Sequence, residues 1–186
     1  MKKSSTQPAL DLSTVPKRVV LWVDAGGSNK VWVAERDGCT WKATWGKRDL
    51  EKRSQKVYET ASEEKAAGAF LKAIAAKQAE GYRVGPSAQE AAGILEQRLS
   101  LVLDDRTGRL VVTQAAGPSA GVRVIDSDWF ERGDVIRAIG RVVVFSVEEL
   151  AIEVAPLPSG QGIYLDASRE IGNGLSESTL VRVTAT

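Results

Sequence analysis

Between Arg18 and Trp45 the chain alternates short β-branched and aromatic runs with two tight-turn signals; beyond residue 60 its apolar spacing lengthens to that of a helix. This change of period limits the fold more than any other feature. Residues 18–24 (Arg-Val-Val-Leu-Trp-Val-Asp) read as a strand, residues 25–29 as a turn and residues 30–35 as a second strand. Arg36-Asp37-Gly38 carries the Asp-Gly hairpin signal. In residues 39–45, Cys39, Trp41, Ala43 and Trp45 fall on one face and Thr40, Lys42 and Thr44 on the other. Residues 55–60 suit a short fourth strand. Thr60-Ala61-Ser62-Glu63 then reads as a capping box. Ala67, Phe70, Leu71, Ile74 and Ala75 form an apolar helical stripe, and Gly81 supplies the stop. A lone helix of this length is marginal in water, so its stripe must pack on the sheet.

Val84-Gly85-Pro86 breaks the pattern, and Ser87-x-x-Glu90 opens a candidate second helix over residues 87–97. Short strands are expected at 98–103 and 109–113, flanking a hairpin loop at 104–108. Others are expected at 121–125, 134–139, 141–145, 150–154, 162–165 and 180–184. Residues 127–140 also suit a helix. The expected fold class is α+β: a small antiparallel sheet covered by one helix, followed by a β-rich barrel- or sandwich-like domain. The expected division is a flexible tail at 1–16, a first domain at 17–83, a linker or helix at 84–97 and a second domain at 98–186.

Charge follows this division. Residues 1–83 hold 16 Lys and Arg against 10 Asp and Glu, and residues 84–186 hold 9 against 14. Such asymmetry suggests two domains with different partners. The chain has no His, which excludes Ser-His-Asp and Cys-His catalysis. Its one Cys, Cys39, excludes an internal disulfide and, with His absent, argues against a zinc site. No metal or cofactor is expected. Residues 1–16 lack an apolar signal-peptide core, and no run of about 18 apolar residues occurs, so a cytoplasmic protein without a membrane span is expected.

The candidate binding residues sit in the first half. Trp22, Trp32, Trp41 and Trp45 cluster there, and a basic run of Lys42, Lys47, Arg48, Lys52, Arg53 and Lys56 begins beside them. A Trp ring can stack on a base or sugar while cations hold phosphates. Trp45, Gly46, Lys47, Arg48, Lys42, Lys52, Arg53, Lys56 and Lys30 are therefore the candidate nucleic-acid-binding set. Gly46 also suits a positive φ at the end of the third strand, with Trp45 packed under the helix. Trp22 and Trp32 read as core residues; of Trp41 and Trp45, one is expected buried and the other exposed.

Residues 17–83 resemble the WGR domain, which occurs in poly(ADP-ribose) polymerases and in bacterial proteins of the molybdate-regulator type. The resemblance rests on Ser28-Asn29-Lys30-Val31-Trp32, on Trp45-Gly46-Lys47 where the family has Trp-Gly-Arg, and on Lys56 to Thr60 before the helix. Phe70, Lys77 and the closing Gly81-Tyr82 complete it. The signature Arg is Lys47 here, Arg48-Asp49-Leu50 stands where the family continues Ile-Gly-Thr, and Val31 replaces a Phe. The resemblance implies a DNA-binding module with Trp45 against a terminal sugar or base and Lys47 and Arg48 on phosphate. It implies no polymerase activity, because the rest of the chain shows no NAD-binding pattern.

In the second half, Asp126, Asp128, Glu131 and Asp134 read as a solvated turn before a calcium loop. Asp104-Asp105, Gly160-Gln161-Gly162 and Gly172-Asn173-Gly174 read as turns, Glu148-Glu149 as a helix or strand edge, and Trp129 and Phe130 as core anchors. The sequence thus points to a non-enzymatic nucleic-acid-binding accessory protein of bacterial or phage type, with DNA favoured over RNA, whose residues 98–186 dock a protein partner. The alternative is a protein-interaction subunit of a larger nucleic-acid-processing assembly, its WGR-like domain contacting protein.

Overall fold

A computed structural model describes residues 10–105, 109–115 and 130–186. The sequence expectations that fall on residues 106–108, on the strand at 121–125, and on Asp126, Asp128 and Trp129 lie outside the described residues. Among the described residues the architecture is α+β, with two antiparallel sheets and three helices. The first sheet has the order β4-β3-β2-β1-β5, built from β1 (Arg18–Ala25), β2 (Ser28–Asp37), β3 (Thr40–Lys47), β4 (Ser54–Glu59) and β5 (Arg83–Val84). Helix α1 (Glu63–Ala79) packs on one face of it. The second sheet has the order β11-β10-β8-β7-β6, with β9 beside β8. Its members are β6 (Leu101–Asp104), β7 (Leu110–Ala115), β8 (Val135–Ile139), β9 (Val142–Val143), β10 (Gly162–Gly172) and β11 (Leu175–Thr184). Helices α2 (Ala88–Leu99) and α3 (Val147–Val154) share its core.

Local chemistry accounts for most of these elements. The β1–β2 hairpin closes through Gly26 (φ 60°) and Gly27 (φ 77°), the pair of positive angles that a two-residue turn needs to match strand twist. Asn173 and Gly174 do the same between β10 and β11. Helix α1 ends in a Schellman motif: Gly81 N–H donates to the Gln78 carbonyl at 3.0 Å and Tyr82 N–H to the Lys77 carbonyl at 3.1 Å. Its start is two residues later than a box opening at Thr60 would place it. Ser62 is the N-cap, accepting from Lys65 N–H at 3.3 Å, and Glu63 instead pairs with Arg36 at 2.8 Å. Helix α2 does carry the reciprocal capping box, with Glu90 N–H donating to Ser87 Oγ at 3.3 Å and Ser87 N–H donating to Glu90 at 2.8 Å.

The Ser87 backbone hydrogen bond, then its side-chain hydrogen bond, hold the Glu90 carboxyl below the ordinary value of 4.5. A depressed folded-state value means that this cap stabilises the protein above pH 4.5 and is lost as pH falls through the lower folded value. Glu90→Gln should therefore flatten that part of the acid-unfolding profile, followed by circular dichroism, and leave the neutral-pH fold unchanged.

Four expectations need correction. The second sheet is not a closed barrel among the described residues: its strand path has two ends, and α2 and α3 cover its apolar face, so closure is not needed to bury it. Residues 150–154 are not a strand but the end of α3. Ser146 caps this helix, and Val147, Glu148, Glu149, Leu150, Ala151, Ile152 and Val154 are all buried, so no polar stripe marks its period. Residues 10–16 are not wholly a tail, because Val15 is buried and Leu12 packs beside it in the core under α1. Helix α2 runs on to Leu99 and belongs to the second core, to which it contributes Ala91, Leu95 and Leu99.

The core is built in layers. Leu21, Trp32, Ala34, Trp41 and Ala43 meet Ala67 and Phe70 of α1. Trp41 stacks on Tyr58 with centroids 4.0 Å apart and meets Phe70 edge-on at 6.3 Å. On the opposite face of this sheet, Val20, Val31 and Val33 pack against Ile152 of α3, with Trp22 half-buried beside them. Leu150, Ala151 and Val154 of the same helix enter the second core. Helix α3 is therefore shared between the two sheets. Phe130 is buried in that second core as well. No helix among the described residues is long and apolar enough to cross a membrane.

Candidate nucleic-acid interface

Strand register sorts the nine candidate residues. Trp45 lies opposite Trp32 on β2 and Ser54 on β4, while Lys47 lies opposite Lys30 and Lys56 opposite Ala43. Trp41 and Ala43 point at α1. By the two-residue alternation of a strand, Trp45, Lys47, Lys30 and Lys56 project from that same face. Trp41 is buried and Trp45 is 36% exposed, so the pair divides as the sequence suggests. Lys56 Nζ sits 4.9 Å from the Tyr58 ring centroid. Like charges directly across a strand pair repel, so the Lys30–Lys47 pair makes a local positive site that an anion would relieve.

Beside that pair lies an open cleft of about 340 Å³, lined by Gly26, Gly27, Ser28, Asn29, Lys30, Lys47 and Asp49. The Asn29 side-chain oxygen is buried with no hydrogen-bond partner among the described residues. In the sequence Ser28 and Asn29 belong to the turn over residues 25–29, whose Gly26-Gly27 pair forms part of the cleft wall.

Lys42, Arg48 and Arg53 lie on the other face, and this sequence expectation is revised by where the structure puts them. Lys42 pairs with Glu35 at 2.6 Å. Arg53 donates from Nη1 and Nη2 to Glu149 of α3 at 2.6 and 2.8 Å, with its guanidinium 4.3 Å from the Phe145 ring centroid. Arg48 is only 2% exposed; its side chain pairs with Glu153 of α3 and lies 5.4 Å from the Trp22 ring centroid. The Arg48 main chain bridges as well, its N–H donating to Asn29 at 3.1 Å and its carbonyl accepting from Val143 N–H at 2.7 Å. These arginines are consumed in holding the two sheets together, because a cation in a buried interface needs a carboxylate.

Gly46 has no positive φ, so its place is set by close packing and not by backbone strain. A Cβ there would meet Arg53 Cγ at 3.1 Å and the Arg53 Cα at 3.4 Å. The glycine lets Arg53 cross the strand on its way to Glu149. Lys52 is exposed in the β3–β4 connection.

The acidic residues of the second half separate too. Asp134 is buried and receives Arg169 Nε and Nη2, each at 2.8 Å, and Glu131 takes Arg169 Nη1 at 3.0 Å. Glu148 and Glu149 stand in the first turn of α3, and both are buried against arginines of the first sheet.

No family model matches the chain, and no curated protein matches it. A solved structure of a protein from Bacteroides fragilis matches with 25% identity and a TM-score of 0.35, covering 37% of this chain and 19% of that chain. The match thus spans less than a fifth of that protein's length. A TM-score at this level carries no inference about fold or function.

Proposed function

We propose that the chain is a non-enzymatic nucleic-acid-binding protein, with DNA favoured over RNA, that grips its ligand through Trp45, Lys30, Lys47 and Lys56. The observation that carries this reading is an exposed Trp flanked on one sheet face by lysines, two of them register-paired beside a cleft. The ring offers a stacking surface and the lysines offer salt-dependent contacts to phosphate. Arg48 and Arg53 take no part in this grip, because α3 holds them on the other face. The resemblance of residues 17–83 to the WGR domain supports the same surface. No base-reading helix rich in Arg, Asn and Gln accompanies it, so recognition is of backbone and stacking more than of sequence.

The second half carries the protein-docking part of the reading. Ile171 and Leu175 are exposed at the tip of the β10–β11 hairpin, and apolar side chains held in solvent suit a protein surface.

Fluorescence anisotropy with labelled blunt duplex, nicked duplex, single-stranded DNA and RNA at two salt concentrations tests the ligand. Trp45→Ala should weaken binding by about 1–3 kcal/mol, the usual cost of losing one stacked base. Lys47→Ala should lower the salt slope by about 0.9, the share of one phosphate contact. No binding at low salt, or unaltered binding in a folded Trp45→Ala protein, would discard the reading and favour the protein-interaction alternative.

A further inference from the structure

The face of the first sheet turned away from Trp45 is rich in cations. Arg18, Lys42, Arg48 and Arg53 lie on it, and Arg83 reaches the same Trp22 ring as Arg48, each guanidinium 5.4 Å from the ring centroid. Within the sheet itself, Glu35 answers Arg18 at 3.0 Å and Lys42 at 2.6 Å. The rest of the balance comes from one helix of the other half. Helix α3 lies across this face and sets Glu148 against Arg18 at 3.2 Å, Glu149 against Arg53 at 2.6 Å, and Glu153 against Arg48. Arg18, Arg48 and Arg53 each receive their own carboxylate from α3, in a chain whose first half is basic and whose second half is acidic.

A guanidinium fork that fits a carboxylate fits a phosphate by the same geometry. We propose that this face is a second nucleic-acid backbone surface, and that α3 is its built-in competitor, its three carboxylates standing where phosphates would bind. The proposal rests on the nucleic-acid reading above. A ligand shifts such an equilibrium only if it prefers one state, and phosphate meets this condition because Arg48 and Arg53 are reachable only with α3 displaced. Displacement is not opposed by a large apolar contact: on this face the packing is Val20, Val31 and Val33 against Ile152, with Trp22 at its edge. The buried ion pairs add little net stability, since desolvation offsets much of their attraction. A strand already held at Trp45 also presents its neighbouring phosphates at high local concentration.

Two measurements test this. The first compares binding of a short labelled blunt duplex by the unaltered chain and by Glu148→Gln/Glu149→Gln/Glu153→Gln, which keeps side-chain shape and removes the competing charge. The variant should bind about tenfold tighter or more, and its salt slope should steepen by about 2–3, at about 0.9 per added phosphate. The second uses the exposed Cys39 and a Glu177→Cys substitution at an exposed position near the start of β11 to carry a dye pair. Saturating duplex should lower energy transfer in the protein with its glutamates intact. Equal affinity and slope in the folded variant, with transfer unchanged by duplex, would overturn the covered surface while leaving the Trp45 interface standing. Absence of binding by both proteins at low salt would overturn both readings. If the triple variant does not fold, energy transfer decides alone, and an unchanged signal at saturation counts against the proposal.

Discussion

Arg53→Ala is expected to destabilise the folded protein by about 3–5 kcal/mol, the cost of stranding a buried charge. Glu149 is 2% exposed and takes both terminal nitrogens of Arg53. With the arginine gone, that carboxylate keeps its desolvation cost and loses its partner. Arg53 also donates to the Val143 carbonyl at 3.3 Å and lies over Phe145, so truncation opens space at the junction as well. Urea unfolding at constant m-value measures the loss as a fall in midpoint. The paired change Arg53→Met with Glu149→Met should recover most of it, because two apolar side chains leave no charge to desolvate. A midpoint unmoved by Arg53→Ala would show that the sheets do not depend on this pair for their docking.

Phe70→Ala is expected to cost a similar amount, about 3–5 kcal/mol, from the lost transfer free energy of the ring and the cavity left behind. Phe70 has no exposed surface and is the largest fully buried side chain of the chain's described residues. It meets Trp41 edge-on, and Trp41 stacks on Tyr58. The ring therefore ties α1 to β3 and β4, the strands that present Trp45, Lys47 and Lys56. Unfolding followed by Trp fluorescence would measure the loss, and the folded variant's native Trp spectrum should shift as Trp41 becomes wetter. A change below about 1 kcal/mol would mean that the core collapses onto the gap, as some sites do. Below its unfolding transition the variant should still bind nucleic acid, since Phe70 is fully buried beneath α1 and has no surface that a ligand at Trp45 could touch.

The two cores contrast in how much of them could be read in advance. In the first sheet the Gly26-Gly27 and Asp37-Gly38 turns set hairpin register, and register sets which residues face α1. The 3.6-residue stripe of α1, with Phe70 at its centre, and the stop at Gly81 were equally local signals. In the second half, the strand signals at 109–113, 134–139 and 162–165 marked β7, β8 and β10, and Gly172-Asn173-Gly174 marked a hairpin turn. Helix α3 was not legible. Seven of its eight residues are buried against two sheets at once, so its apolar period is hidden, and its glutamates look like surface residues until their arginines are found.

The candidate site divides for the same reason. Trp45, Lys47 and Lys30 were legible as an aromatic and cations close in sequence, and antiparallel pairing gathers them on one face. Arg48 and Arg53 looked identical to them in the one-dimensional chain. What sets them apart is one step of strand alternation at Arg48, the path over Gly46 at Arg53, and an acidic helix about a hundred residues away in sequence.

The sequence by itself determined the hairpins, the α1 stop at Gly81, the α2 capping box, the packed face of the first sheet and the basic character of the first half, because each depends on spacing between near neighbours. Only the tertiary structure decided which cations remain at the surface and which are spent within the fold. Burial and pairing depend on what is brought across from the other half, and no local spacing encodes that.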